Sequence, residues 1–296
     1  MKKIHSILAI ALLLTTSAMM AQQESVISFY SQHMNLVNPA YVGVDSLTIA
    51  TSSLRKQWTG VAQAPETQTV SFGTPLGKNV GFGMTVINDQ NFIEKQTYVS
   101  VDFSYRLKMS KTADVYFGIK AGGNSYNVNA PGLLTYNIQS DPALGSINAF
   151  NPNVGVGALY KEGALYVSLS VPRLLNNKKA TNDAGYANIS MDSPHFFLSG
   201  GYDVPLQSKF SSLVLRPSVM LRYVTGAPVS IDLTAMLQIE KNFEIGGMYR
   251  TDKAYAAMST IRLSKRFLFG FAYEMSTQPT LAAARNTNEI LLKFEF

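Results

Sequence analysis

Two long runs of strict alternation limit what this chain can become. From Thr97 to Met109 the odd positions carry Thr, Val, Val, Phe, Tyr, Leu and Met, while the even ones are Tyr98, Ser100, Asp102, Ser104, Arg106 and Lys108. Val229, Ile231, Leu233, Ala235, Leu237 and Ile239 alternate in the same way with Ser230, Asp232, Thr234, Met236, Gln238 and Glu240, and only Met236 breaks the polar face. Successive side chains of a strand point to opposite faces, so each run predicts a strand with one apolar and one polar face. Strands of a soluble sandwich usually have about 5–6 residues. A strand crossing a lipid bilayer needs about 9–11. Many segments here reach that length.

Fourteen candidate strands begin near Leu47, Thr67, Val80, Thr97, Val115, Asn153, Leu165, His195, Leu213, Val229, Phe243, Ala254, Phe267 and Asn288. An even number suits a bacterial barrel whose two chain ends meet on one side. Every second connection should then be a short periplasmic turn. "LGKN" (76–79), "MSKT" (109–112), "KEGA" (161–164), "EKN" (240–242) and "SKR" (264–266) fit, and "VPLQSKFSS" (204–212) is longer. The other set holds the long connections near 127–152, 172–193 and 276–287, with short exceptions around Gly226 and Thr251. The last strand, "NEILLKFEF", alternates and ends on Phe296, like the assembly signal of outer-membrane proteins. The fold expected is all-β: a transmembrane antiparallel barrel of fourteen strands over 46–296. Closure pairs the edge strands, whose unpaired backbone groups would each cost several kcal/mol in lipid.

Composition agrees. Charged residues are only 15%, against about a quarter in soluble domains, and no run of 18 apolar residues follows residue 21. The start, with Lys2, Lys3, an apolar run from Ile7 to Leu14 and small residues up to Ala21, reads as a secretory signal peptide over 1–21. Its removal lowers the formal charge from +6 to about +4. With no cysteine, an exported chain has no disulfides to rely on. Tyr98, Tyr105, Tyr116, Tyr160, Tyr166, Tyr223 and Tyr273 are candidates for interfacial girdles or for inward packing.

The chemical inventory is sparse. Of three histidines, His5 lies in the signal, and His33 and His195 have no second histidine four residues on. No phosphate loop, dinucleotide fingerprint or G-x-S-x-G elbow occurs, and nothing points to a cofactor, a metal or nucleic acid. "GVGAL" and "GFGMT" read as glycines on one face of a strand. Asp102, Arg106, Lys120, Arg216, Arg222, Asp232, Arg250, Arg262 and Glu274 fall on polar faces. They form either a lumen whose charges pair with one another or a solute pathway. Lys78, Lys111, Lys161, Lys209, Lys241, Lys265 and Arg266 sit in the short turns. They are either ordinary turn lysines or a basic rim for lipid phosphates or an acidic periplasmic partner.

The motifs "YSQHMNLVNPAYVG" (30–43), "RKQWTGVAQAPETQTVSFGTPLG" (55–77), "VGFGMTVIND" (80–89), "HFFLSGGYDVPL" (195–206), "LRPSVMLRYVTGAPVSIDLTAML" (215–237) and "NEILLKFEF" (288–296) resemble the PorP/SprF family of type IX secretion proteins of Bacteroidota. The likeness runs in order along nearly the whole mature chain, and "STQPTLAAARNT" (276–287) is its least typical part. The resemblance implies a non-enzymatic outer-membrane component of the secretion and gliding machinery. It implies outer-membrane lipids, a secreted surface adhesin or its C-terminal domain, and periplasmic lipoprotein or peptidoglycan-associated subunits as partners. It marks Asn38, Pro39, Ala40, Tyr41, Gly43, Arg55, Gln57, Trp58 and Pro65 as motif residues. The alternative from another class is a passive or fatty-acid-type transport barrel.

Within 22–45, "MNLVNPAYVG" is a knot of turn formers ahead of a β-protein. Proline fixes its own φ and biases Asn38 to extended geometry, and Gly43 lets the chain bend again. The segment is expected either to be a plug held by Leu36, Val37 and Tyr41 at the periplasmic mouth or to be a plain lead-in. Trp58 is expected in the first external loop at the lipid interface.

Overall fold

The computed structural model describes residues 27–128, 147–175, 177–178, 191–206, 212–277 and 286–296. Its strands, in chain order, are β1 (Ile49–Gln57), β2 (Glu66–Leu76), β3 (Val80–Asn91), β4 (Glu94–Lys108), β5 (Ala113–Val128), β6 (Ile147–Glu162), β7 (Leu165–Val171), β8 (Asn177–Lys178), β9 (Met191–Asp192), β10 (His195–Tyr202), β11 (Val204–Leu206), β12 (Leu213–Val224), β13 (Ser230–Ile239), β14 (Phe243–Arg250), β15 (Ala254–Arg262), β16 (Phe267–Ser276) and β17 (Asn286–Glu295). Apart from the small β8–β9 pair, every strand joins one antiparallel sheet. The sheet closes into a ring. β1 pairs with both β2 and β17, and β10 pairs with both β7 and β12. β11 continues β10 along the same edge of β12 after a break at Asp203, so the two make one stave. The result is a closed barrel of 14 staves.

Most strand starts fall within three residues of the expected ones. β6 is the exception, starting at Ile147 rather than near Asn153, because its whole length pairs with the equally long β5. The expected turn 204–212 is also corrected: Val204–Leu206 pairs with Leu213–Leu215 as strand. The tight β3–β4 turn at Phe92, φ 56°, belongs to the long-connection end, so loop length separates the two ends less cleanly than expected.

The alternation places apolar side chains outside. Val70, Phe103, Ile119, Leu169, Leu233, Ile245, Phe271 and Ile290 are exposed on the outer wall, giving the apolar band that lipid covers. Tyr105, Tyr223 and Tyr273 face out, whereas Tyr98 and Tyr116 are buried in the lumen. The inward faces carry the polar set: Ser53, Thr69, Ser71, Thr85, Ser100, Asp102 and Lys120 are all buried. No described helix is long and apolar enough to cross a membrane.

The interior is filled by the chain's own beginning. Residues 27–44 thread the lumen as three short helical turns, Tyr30–Gln32, Met34–Val37 and Pro39–Tyr41. They run from the level of Arg55 and Glu289, toward the long-loop end, down to the base beside Pro75 and Gly81.

Candidate functional site

The threaded segment and the wall it touches form the site. Its start is held by a buried cluster of charge. Glu289, fully buried, accepts the backbone N–H of Ser28 at 2.7 Å and of Phe29 at 3.2 Å. The Arg55 guanidinium reaches Glu274 at 2.7 Å, Glu289 at 3.3 Å and the Ser28 hydroxyl at 3.0 Å. Arg250 extends the chain of charges from Glu274 to Asp232, which also takes Arg222 at 2.9 Å. Charges this far from water persist only when paired and hydrogen-bonded.

Below, the Tyr30 hydroxyl meets Ser218 at 2.9 Å. The His33 imidazole lies 3.3 Å from the Ser71 hydroxyl through Nδ1, and its Nε2 has no partner. Burial, helped by the Lys293 charge, holds His33 neutral with a pKa lowered to about 3. Lys120, paired with Asp102 at 3.0 Å, donates to the Asn35 carbonyl at 2.9 Å.

Asn38 bolts the lower half. It is extended (φ −144°, ψ 111°), as expected of a residue before proline. Its Oδ1 accepts from Ala40 N at 2.9 Å, and its Nδ2 donates to the carbonyls of Ala158 and Leu169 on two neighbouring strands. Ser170 donates to the Val37 carbonyl and Ser104 to the Val42 carbonyl. Asn38, Pro39 and Ala40 are buried, Tyr41 packs edge-on against Tyr166, and Gly43 turns at φ +76°. "GFGMT" and "GVGAL" are part of this fit. A β-carbon on Gly81 would overlap the Val42 carbonyl, and one on Gly157 would overlap Asn38 Oδ1.

Of the other motif residues, Arg55 joins the buried cluster. Pro65 is buried, and its carbonyl accepts from Gln57 N at 2.9 Å, closing the first long-end loop, in which Trp58 is half-buried at φ 50°. In the short turns, Lys78, Lys111, Lys241, Lys265 and Arg266 are exposed and make no ion pair among the described residues. Lys161 reaches Asp45 at 3.5 Å, and Lys209 lies outside the described residues. The inward charges largely pair: Arg106 with Asp114, Arg216 with Glu244 and Arg262 with Glu295 complete the set. A cavity of about 450 Å³ lies alongside the segment, lined by Tyr41, Lys161, Asp203, Arg216, Glu244 and Lys293 among others.

The upper anchors of the segment are not those expected from the sequence. Leu36 is only half-buried, while Phe29, Tyr30 and Met34 bury fully against Met220, Met236, Met248, Met258 and Leu291. Met236, the one apolar residue on a polar face, was the available signal: it needs an apolar neighbour in the lumen.

A family model described as "Type IX secretion system membrane protein PorP/SprF" matches residues 19–294. No curated protein matches. Among solved structures, the outer membrane protein Omp33 of Acinetobacter baumannii superposes with a TM-score of 0.51 at 8% identity, over 85% of this chain and 98% of that one. The toluene transporter TbuX of Ralstonia pickettii gives 0.48 at 10% identity, over 88% and 92%. The KdgM porin gives 0.40 at 8%, over 84% and 99%. At 8% identity the likeness to Omp33 is one of fold.

Proposed function

The chain belongs to the PorP/SprF family of type IX secretion system membrane proteins, and from that premise we propose that this outer-membrane barrel is a non-enzymatic part of the secretion machinery. In this reading it supports export or surface attachment of a partner adhesin, engaging the adhesin or its C-terminal domain on one side and periplasmic lipoprotein or peptidoglycan-associated subunits on the other. The observation that carries it is the threaded lumen. Residues 27–44 are tied to the wall on β2, β4, β5, β6, β7, β12 and β17, which suits a barrel that holds other chains better than one that passes solutes. Lys78, Lys111, Lys241, Lys265 and Arg266, without an ion pair among the described residues, offer a surface for an acidic periplasmic subunit.

Affinity purification from native outer membrane, followed by identification of the bound chains, tests the reading. Co-purification of a secreted adhesin or of secretion subunits is expected. Their absence, together with rapid solute flux through the intact barrel in liposomes, would favour a transport barrel. Deleting residues 25–43 should open the lumen to ions and impair secretion. Normal secretion by the deleted form would remove the segment from the function.

A further inference from the structure

The two halves of the threaded segment are held by different means. Asn38 to Gly43 is held by shape. Glycines at 81, 118 and 157 leave room where a β-carbon would overlap the Val42 carbonyl, the Pro39–Ala40 backbone or Asn38 Oδ1, and a β-carbon on Gly43 would come within 2.9 Å of the Gly81 Cα. Most of these obstacles are backbone atoms, which cannot step aside.

Ser28 to Met34 meets one such glycine, Gly270, where a β-carbon would come within 3.1 Å of the tip of the Phe29 ring, a side chain that can shift, and within 3.0 Å of Leu291 Cβ on the wall. Its apolar wall is rich in methionine: Met220, Met236, Met248 and Met258 stand on the four consecutive strands β12 to β15 and are buried in one cluster with Phe29, Tyr30 and Met34, alongside Phe197, Leu268 and Leu291. Methionine is unbranched and soft, and a wall of it repacks around different apolar shapes. Beside the specific contacts of the Ser28 hydroxyl with Arg55 and of His33 with Ser71, this half also makes generic polar contacts. Glu289 takes two consecutive backbone N–H groups, which any peptide offers, and Ser218 and Thr234 take one hydroxyl.

We propose that the methionine wall and Glu289 form a receptor site for a short aromatic–apolar segment of a client polypeptide, with Ile27–Met34 as its built-in occupant. The client displaces this half while Asn38–Gly43 stays in its glycine notches. The source of the client rests on the secretion reading; the recognition chemistry does not. A fatty acyl chain would cover the methionines but would supply neither of the two N–H groups that Glu289 now accepts, leaving that buried carboxylate with Arg55 alone among the described donors, and no partner for the buried Thr234 hydroxyl, which is costly. A peptide serves both.

The test uses the full chain in detergent with a fluorescent peptide of the sequence ISFYSQHM. In a Phe29→Ser, Tyr30→Ser variant the built-in occupant loses its grip, and the peptide should bind at least tenfold more tightly than to the unaltered protein. A further Met236→Glu change should abolish binding, as should serine at the two aromatic positions of the peptide. Equal affinity for variant and unaltered protein, binding that survives Met236→Glu, or displacement of the peptide by a fluorescent fatty acid at equal concentration would overturn the proposal. Should the double variant fail to form a heat-modifiable barrel, hydrogen exchange on the unaltered protein decides. Saturating peptide should speed exchange at 28–34 and leave 40–43 unchanged, and no difference between the two halves would count against the site. Failure here leaves the secretion reading standing. Failure of the native purification leaves peptide binding measurable.

Discussion

Oδ1 of Asn38 occupies the space that a β-carbon on Gly157 would need. Segment and wall therefore coexist only with glycine at 157. Gly157→Val should push Asn38 away and strip Ala158 and Leu169 of its Nδ2 donor, at a cost of about 1–3 kcal/mol for overpacking. The expected result is a barrel that still forms, with new proteolytic cleavage between 38 and 43. Unchanged protease resistance would contradict this contact.

Arg55 is the cation nearest Glu289, and both are buried. Arg55→Met should destabilise the barrel by about 3–5 kcal/mol, because a buried carboxylate then loses its partner. Adding Glu289→Gln should recover part of the loss, since an amide oxygen still accepts the Ser28 N–H. Urea unfolding in micelles measures both. A double variant no better than the single one would mean that the pair is not coupled.

The contrast between these two residues shows what the sequence discloses. Arg55 sits in a motif quoted from sequence, and the alternation of β1 places it inward. Glu289 lies in "NEILLKFEF", where periodicity gives a strand and a polar face but not a ligand. Its role depends on Ser28, at a separation of 261 residues, which no local pattern encodes. The strands were legible because alternation over ten or more residues is a local property. The glycines of "GVGAL" were visible too, but their purpose appears only when β6 is set against Asn38. The reach of β6 back to Ile147 was hidden because pairing with β5, not hydropathy, extends it.

His33 gives the site a pH response whose sign is fixed. Its pKa is lowered to about 3 in the folded protein, against about 6.5 unfolded. The stabilisation from its seating is therefore complete above pH 6.5 and is lost as pH falls from there toward 3, by about 1.4 kcal/mol per unit. The difference in urea midpoint between the unaltered protein and His33→Gln should shrink between pH 7 and pH 4.5. A constant difference would show that the imidazole is hydrated.

The basic turns separate two uses of one end of the barrel. Lys78, Lys111, Lys241 and Lys265 are exposed and without ion pairs among the described residues, so reversing them to glutamate removes no internal contact and should change stability little. Long-range attraction to an acidic partner would reverse sign, and capture of periplasmic subunits should fall at least tenfold at low salt, with the loss diminishing as ionic strength rises. If the turns instead rest on lipid phosphates, the reversed barrel should insert more slowly into anionic vesicles and keep its protein partners. Pull-down and insertion kinetics on the same variant tell these apart, because a docking surface changes the first and a lipid contact changes the second.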